Sequence, residues 1–161
     1  MLIEMRIKGL IVDPVAGTPI VILKDEGGER VLPIWVGVPE ANAIWMQIEN
    51  VSPPRPMTHD LLRNVISDLD GRVDRVVVSE LRESTFFAVI HMTVRGEAVA
   101  VDARPSDAIA LALRTRAPIL VEEAVIDTAK TVDFASSPVD NERLQKWLES
   151  LDPEDLGKYK M

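Results

Sequence analysis

Apolar and polar positions change period several times along the chain, and each change marks an element. Over residues 2–12 (LIEMRIKGLIV), Ile3, Met5 and Ile7 alternate loosely with Glu4, Arg6 and Lys8, and period two predicts a strand. Residues 18–25 (TPIVILKD) predict a second strand. Gly27-Gly28 then predicts a turn, because glycine reaches positive φ without steric cost. Residues 30–36 (RVLPIWV) form a third strand, which Pro33 confines to a sheet edge or a bulge.

At 39–50 (PEANAIWMQIEN) the period lengthens: Ala41, Ile44, Trp45 and Ile48 share one face of a helix that Pro39 opens. The prolines of VSPPRP at 51–56 end it. Thr58 is the expected N-cap of a second helix, with Leu61, Leu62, Val65, Ile66 and Leu69 as its apolar stripe and Gly71 as its C′ residue. Strands are predicted at 73–82, 84–95 and 97–102, with Phe86, Ala88, Ile90, Met92 and Val94 on one face of the middle one. Residues 105–115 (PSDAIALALRT) are apolar nearly all round and predict a buried helix. A short strand at 118–121, a helical turn at 122–128, a loop at 130–138 and an amphipathic helix at 139–150 complete the chain.

The pattern predicts an α+β fold of meandering, mostly antiparallel strands with helices on a face. A faint internal repeat runs through it. Three strands and a helix over 2–50 resemble three strands and a helix over 73–115, each helix opening on an acid and small apolar residues (Glu40-Ala41, Asp107-Ala108). Residues 1–130 form the expected domain and 131–161 an acidic tail.

Composition narrows the picture. An apolar share of 47% with 27% charged residues is a globular balance. Cysteine is absent, which removes disulfides, thiolate metal sites and cysteine nucleophiles, and is compatible with a reducing cytosol, so a cytoplasmic protein is expected. The N-terminus lacks the long apolar run of a signal peptide, and no segment is apolar enough to span a bilayer, so no membrane partner is expected. The net charge of −8 opposes a generally basic nucleic-acid binder. That charge is uneven: residues 1–121 carry 16 acids and 13 bases, residues 122–161 carry 10 acids and 5 bases.

Candidate chemistry concentrates in PPRPMTHDLL (53–62) and VDARPSDAIALAL (101–113), each running into a helix N-terminus, where amide N–H groups favour anions. Arg55 and Arg104 suit phosphate; His59 suits proton transfer; Asp60, Asp102 and Asp107 suit hard divalent ions such as magnesium or manganese. Each also has a structural explanation. Acids in a first helical turn complement the dipole, Asp102 and Asp107 could cap amides, and Arg104 could pair with those carboxylates. Arg114 and Arg116 sit at a helix C-terminus, where cations are favoured in any case. His91 alternates along a strand and reads as structural. A Ser106–His59–Asp102 set exists on paper without any spacing that fixes it. Phosphate-binding loops, zinc-protease motifs and nucleophile elbows are absent.

The segments LPIWVGVPEANAI, PPRPMTHDLL and VDARPSDAIALALRTRAPI resemble the signature blocks of the bifunctional nuclease domain family, over roughly residues 1–130. The resemblance implies a self-associating α+β domain acting on RNA and DNA. Placed on the matching blocks, the catalytic candidates are His59, Asp60, Asp102, Arg104 and Asp107. The substrate contacts are Arg55, Thr58 and Ser106, and the metal donors are Asp102, Asp107 and Glu40. Two readings stand side by side: a metal-assisted phosphodiesterase, and a non-catalytic oligomeric module that binds an anionic ligand or partner through the same segments.

Overall fold

The computed structural model describes residues 1–136, with side chains to residue 129. Eleven elements follow in order: β1 (Leu2–Val12), β2 (Pro19–Asp25), β3 (Val31–Trp35), α1 (Val38–Ile48), α2 (Thr58–Asp68), β4 (Gly71–Arg82), β5 (Thr85–Val94), β6 (Glu97–Ala103), α3 (Pro105–Thr115), β7 (Ile119–Glu122) and α4 (Glu123–Ser136). The fold is α+β. One sheet of seven strands runs β3-β2-β1-β7-β4-β5-β6. Two antiparallel meanders, β1–β3 and β4–β6, lie on either side of β7, which pairs antiparallel with β1 and parallel with β4. Each meander leads into a helix, except that α2 follows α1 before the second meander begins. The expected repeat is therefore visible as a common element order.

The core fills from strand faces and from α1 and α3. Met5, Leu10, Val21, Leu23, Leu32, Ile44, Val76, Val78, Ala88, Ile109 and Leu111 are buried together. β3 is an edge strand, as Pro33 demands, since a proline has no N–H to give a further strand. The remaining termini show where local chemistry decides. The α2 N-cap is Met57, in extended backbone, and Thr58 is the first helical residue. α4 runs through Ser136, so the loop expected from 130 is helix as far as the described residues go. The helix expected at 139–150 lies outside them. No helix of the described residues is long and apolar enough to cross a membrane.

The helix α2 departs most from the pattern. An apolar stripe ordinarily faces the core. Here Leu61, Leu62, Val65 and Leu69 are exposed, while His59 and Asp60 are buried. Ile66 alone of the stripe packs against the core. Polar hydrogen bonds of α2, described below, decide its orientation.

Gly71 does not terminate α2 by adopting positive φ. Asp70 takes that conformation (φ 59°), and Gly71 opens β4. Its glycine is required by space: a Cβ there would lie 2.8 Å from the Ile66 carbonyl oxygen and 2.9 Å from Ile66 Cγ2. The two positions should therefore respond in opposite senses. Gly71→Ala should cost about 1–3 kcal/mol through overpacking. Asp70→Gly should be neutral or stabilising by up to about 1 kcal/mol, because glycine adopts positive φ freely. Urea denaturation of both variants checks the pair; a tolerated Gly71→Ala would refute the close approach.

Candidate functional site: a junction of three helix N-termini

The first turns of α1, α2 and α3 meet, and the side chains they carry form one polar network. Glu40 lies in the first turn of α1, His59 and Asp60 in that of α2, and Asp107 in that of α3, whose N-cap is Arg104. Arg104 joins two of the helices: Nε and Nη2 reach Asp107 Oδ2 at 2.9 Å, and Nη2 donates to Glu40 Oε1 at 2.7 Å. His59 joins the third, with Nε2 2.9 Å from Asp107 Oδ1. Asp107 thus spends one oxygen on the imidazole and one on the guanidinium. The backbone reasons are local. Pro39 and Pro105 sit in first turns, where no amide N–H is missed. An acid in each first turn offsets the positive end of its helix.

Behind this surface lies a second, buried pair. Arg114 reaches back from the last turn of α3, with its side chain 1% exposed. Its Nε donates to Asp60 Oδ1 at 2.7 Å, Nη1 to the Ala110 carbonyl at 2.9 Å and Nη2 to the Ala43 carbonyl at 3.0 Å. Asp60 uses its other oxygen to accept the Met57 N–H at 3.0 Å. One guanidinium therefore binds α1, α2 and α3 together. This bracket turns the polar side of α2 inward and leaves its apolar stripe outside. It also sets His59, the neighbour of Asp60, against Asp107.

The electrostatics follow the contacts. Arg104 hydrogen-bonds Glu40, which also accepts its own backbone N–H, and together they hold the Glu40 carboxyl below its ordinary range against the opposing effect of burial. For Asp60, burial pushes the carboxyl up, but the Met57 N–H and the Arg114 guanidinium outweigh it and the net direction is down. Arg104 is pushed further towards permanent charge by Glu40 first and Asp107 second.

Two residues outside the expected site set complete the site. Arg114 has the ordinary signature of a helix C-terminal cation, and only its depth in the fold reveals the bracket. Gly37, the α1 N-cap, is the place over which Glu40 folds: a Cβ there would overlap Glu40 Oε2. The helical spacing of Gly37 and Glu40 is the one sequence signal for it.

The expected site residues divide accordingly. Glu40, His59, Arg104 and Asp107 come together at the junction, with Arg104 exposed and His59 as deeply buried as the adjacent Asp60. Arg55 and Thr58 are exposed at and just before the start of α2. Ser106 is buried in the first turn of α3, with its residue 7% exposed. Asp102 stands apart. It lies on β6 opposite Val89, in the row between the Ile90–Val101 and Ala88–Ala103 pairs. Ala88 and Ile90 face the core with α3, so strand alternation turns Asp102 to the other side of the sheet. The Ser106–His59–Asp102 set is not assembled.

The expected metal donors do not converge either. Asp102 is on the wrong face, and the facing oxygens of Glu40 and Asp107 are both engaged by Arg104. Among the described residues no three His, Asp or Glu side chains are grouped to hold a metal ion. The guanidinium supplies the positive charge between the two carboxylates, and the donor set in this arrangement does not fit a divalent ion.

The fold and site are those of an α+β domain with two meanders whose helix N-termini converge on a His–Asp–Arg–Glu network. Comparison with known proteins names it: the sequence profile of the bifunctional nuclease domain matches residues 21–133, and the chain belongs to that family. It is 38% identical over 155 residues to an uncharacterized protein of Mycobacterium tuberculosis, covering 92% of this chain and 93% of that one. It is 29% identical over 114 residues to Bifunctional nuclease 2 of Oryza sativa subsp. japonica, and 30% identical over 109 residues to Bifunctional nuclease 1 of Arabidopsis thaliana. Those matches take in 68% and 65% of this chain but only 35% and 34% of the plant proteins.

Two measurements check the bracket. Arg114→Met leaves the Asp60 carboxylate and two carbonyls buried without their donor, and should cost about 3–5 kcal/mol in urea denaturation; a loss under 1 kcal/mol would show that Asp60 finds water instead. The acid limb is the second. The ordinary values for Glu40 and Asp60 are 4.5 and 3.8, and both are lowered in the folded state. Their contribution is complete at neutral pH, where both states are ionised, and is lost as pH falls through the depressed folded values. The urea midpoint should therefore fall below about pH 4, and Asp60→Asn should show a lower midpoint at pH 7 with a shallower fall.

Proposed function

We propose that this domain hydrolyses phosphodiester bonds of RNA or DNA, with His59 as the proton acceptor and Arg104 as the phosphate contact. The observation that carries this reading is the 2.9 Å contact between His59 Nε2 and Asp107 Oδ1, a buried imidazole against a part-buried carboxylate. Asp107 accepts from Nε2, fixing the ring and leaving the lone pair on Nδ1. Nδ1 then takes a proton from water or from a ribose 2′-hydroxyl, and Asp107 faces the charge that develops on the ring. The freed oxygen attacks phosphorus, the P–O bond to the leaving group breaks, and the departing oxygen recovers a proton from the imidazolium or from solvent. The side chain of Arg104 is 66% exposed, and among the described residues its Nη1 has no partner. That edge is available to a non-bridging phosphate oxygen. The exposed Arg55 and Thr58 flank the approach. No step passes through a metal ion, because the carboxylates that would ligate it are paired with Arg104. The plant relatives are named bifunctional nucleases, which supports the same reaction class.

A second reading has its own observation. Both Asp107 oxygens and one Glu40 oxygen are taken up by Arg104 and His59, as in a structural clamp, and the chain carries a net charge of −8. On that reading the domain is a binding module.

Cleavage of labelled single-stranded RNA and DNA separates them. Wild-type protein should cleave with or without EDTA. Asp107→Asn and His59→Gln, purified identically, should each lose about 10²–10⁴-fold in kcat/KM while melting as cooperative folded proteins. Variants that cleave like wild type would remove His59 and Asp107 from the chemistry. Full inactivation by EDTA would restore the metal-assisted route. A wild type without activity would leave the binding module.

A further inference from the structure

The packed side of α2 carries a cation that the reaction proposed above does not use. His59 and Asp60 are buried and Arg63 and Ile66 half-buried, while Leu61, Leu62, Val65 and Leu69 are exposed. Arg63 therefore lies on the inward side of the helix, one turn along from His59 and Asp60. Residues four apart on a helix have Cβ atoms about 5–6 Å apart, and long side chains lean back over the preceding turn. The Arg63 side chain is thus directed towards the turn that holds the imidazole. Its charge reaches Asp60: burial raises that carboxyl, and Arg63 is among the groups, after the Met57 N–H and Arg114, that outweigh it.

A guanidinium on the packed side of a helix calls for an acid, as Arg114 finds in Asp60. Arg63 has none. Among the described residues it forms no ion pair, and its Nε and Nη2 donate to a neutral acceptor, Asn64 Oδ1, at 3.2 and 3.1 Å. Its Nη1 has no partner there either. Yet among the described residues the one buried side-chain nitrogen or oxygen without a hydrogen bond is Trp45 Nε1, so Arg63 Nη1 is open to solvent. The Asn64 amide fixes one edge of the fork and leaves the other for an anion.

Arg104 and Arg63 approach the imidazole by different routes. Arg104 reaches it through Asp107, which gives Oδ2 to the guanidinium and Oδ1 to His59 Nε2. Arg63 comes from the helix of His59 itself and shares no hydrogen-bond partner with Arg104. We propose that the two hold different phosphates of one strand: Arg104 the scissile phosphate, and Arg63 the phosphate next to it. The inference rests on the nuclease reading of the junction and names its substrate more closely. The substrate is an oligonucleotide with at least two phosphodiesters, because a lone phosphodiester forgoes the contact on α2.

The test compares two substrates on the full 161-residue chain: a dinucleoside monophosphate, with a single phosphodiester, and a trinucleoside diphosphate, with a second one. Wild type should favour the longer substrate in kcat/KM by on the order of tenfold, mostly through KM. Arg63→Gln should lose that preference. Arg63→Lys should keep part of it, because an ammonium still attracts phosphate without the fork. A residue that only supports Asp60 would weaken both substrates alike, so an Arg63→Gln protein that keeps the preference overturns the proposal. A wild type that treats the substrates alike does the same, and a preference lost in Arg55→Gln but kept in Arg63→Gln puts the second phosphate at Arg55 instead. Should Arg63→Gln not melt as a folded protein, Arg63→Lys takes its place, and an undiminished preference there is equally fatal.

The nuclease reading fails separately, if wild type cleaves neither substrate. Anisotropy of the labelled trinucleoside diphosphate then decides for Arg63. Arg63→Gln should bind on the order of tenfold more weakly, with a salt slope shallower by about 0.7. Equal affinity and equal slope remove the contact.

Discussion

A single guanidinium, that of Arg114, sets the arrangement of the helices. It is buried to 1% exposure and must find partners for its donors in the interior, since an unpaired charge there is prohibitively costly. Asp60 and the carbonyls of Ala43 and Ala110 supply them, one from each helix of the layer. Satisfying that group draws α2 in by its polar side, and everything distinctive about the molecule follows: the exposed apolar stripe, the burial of His59, and the meeting of His59 with Asp107.

That constraint also explains what the sequence hid. Period and turn chemistry were enough for the strands and for α3, whose predicted span of 105–115 coincides with the helix observed. The same rule misleads for α2, because an apolar stripe faces the core only when no buried charge competes for the inward side. Arg114, which settles that competition, lies 54 residues from Asp60, and nothing local distinguishes it from an ordinary helix-end cation. Glu40 and Arg104 are 64 residues apart and His59 and Asp107 are 48 apart, so the junction could be named residue by residue but not assembled. Asp102 shows the reverse error. Two residues from Arg104, it looked like part of one acidic cluster, yet strand alternation sends it to the opposite face.

The repeated element order gives the junction its near-symmetry. α1 follows the first meander and α3 the second, and each carries an acid in its first turn, Glu40 and Asp107. Arg104 lies between those two acids and belongs to only one of the helices, and α2, which has no counterpart in the other half, brings His59 to one side only. The asymmetric groups are the ones the proposed reaction draws on, whereas the two first-turn carboxylates both hold the Arg104 guanidinium.

The charge balance of the junction limits how an anionic substrate can be held. Three carboxylates, Glu40, Asp60 and Asp107, face two guanidiniums, those of Arg104 and Arg114. The positive ends of three helices, which would otherwise attract phosphate, are already offset by acids of their own first turns. On the proposed nuclease reading, what remains for a phosphate is local: the outer edge of Arg104, the exposed Arg55, the half-buried Arg63 close to Asp60, and the imidazole of His59. On that reading, binding built from so few contacts on an acidic chain is weak and sensitive to salt. It favours a substrate that brings its phosphate to the imidazole over one held along an extended basic surface. On the proposed nuclease reading, the junction therefore acts at one phosphate rather than along an extended footprint.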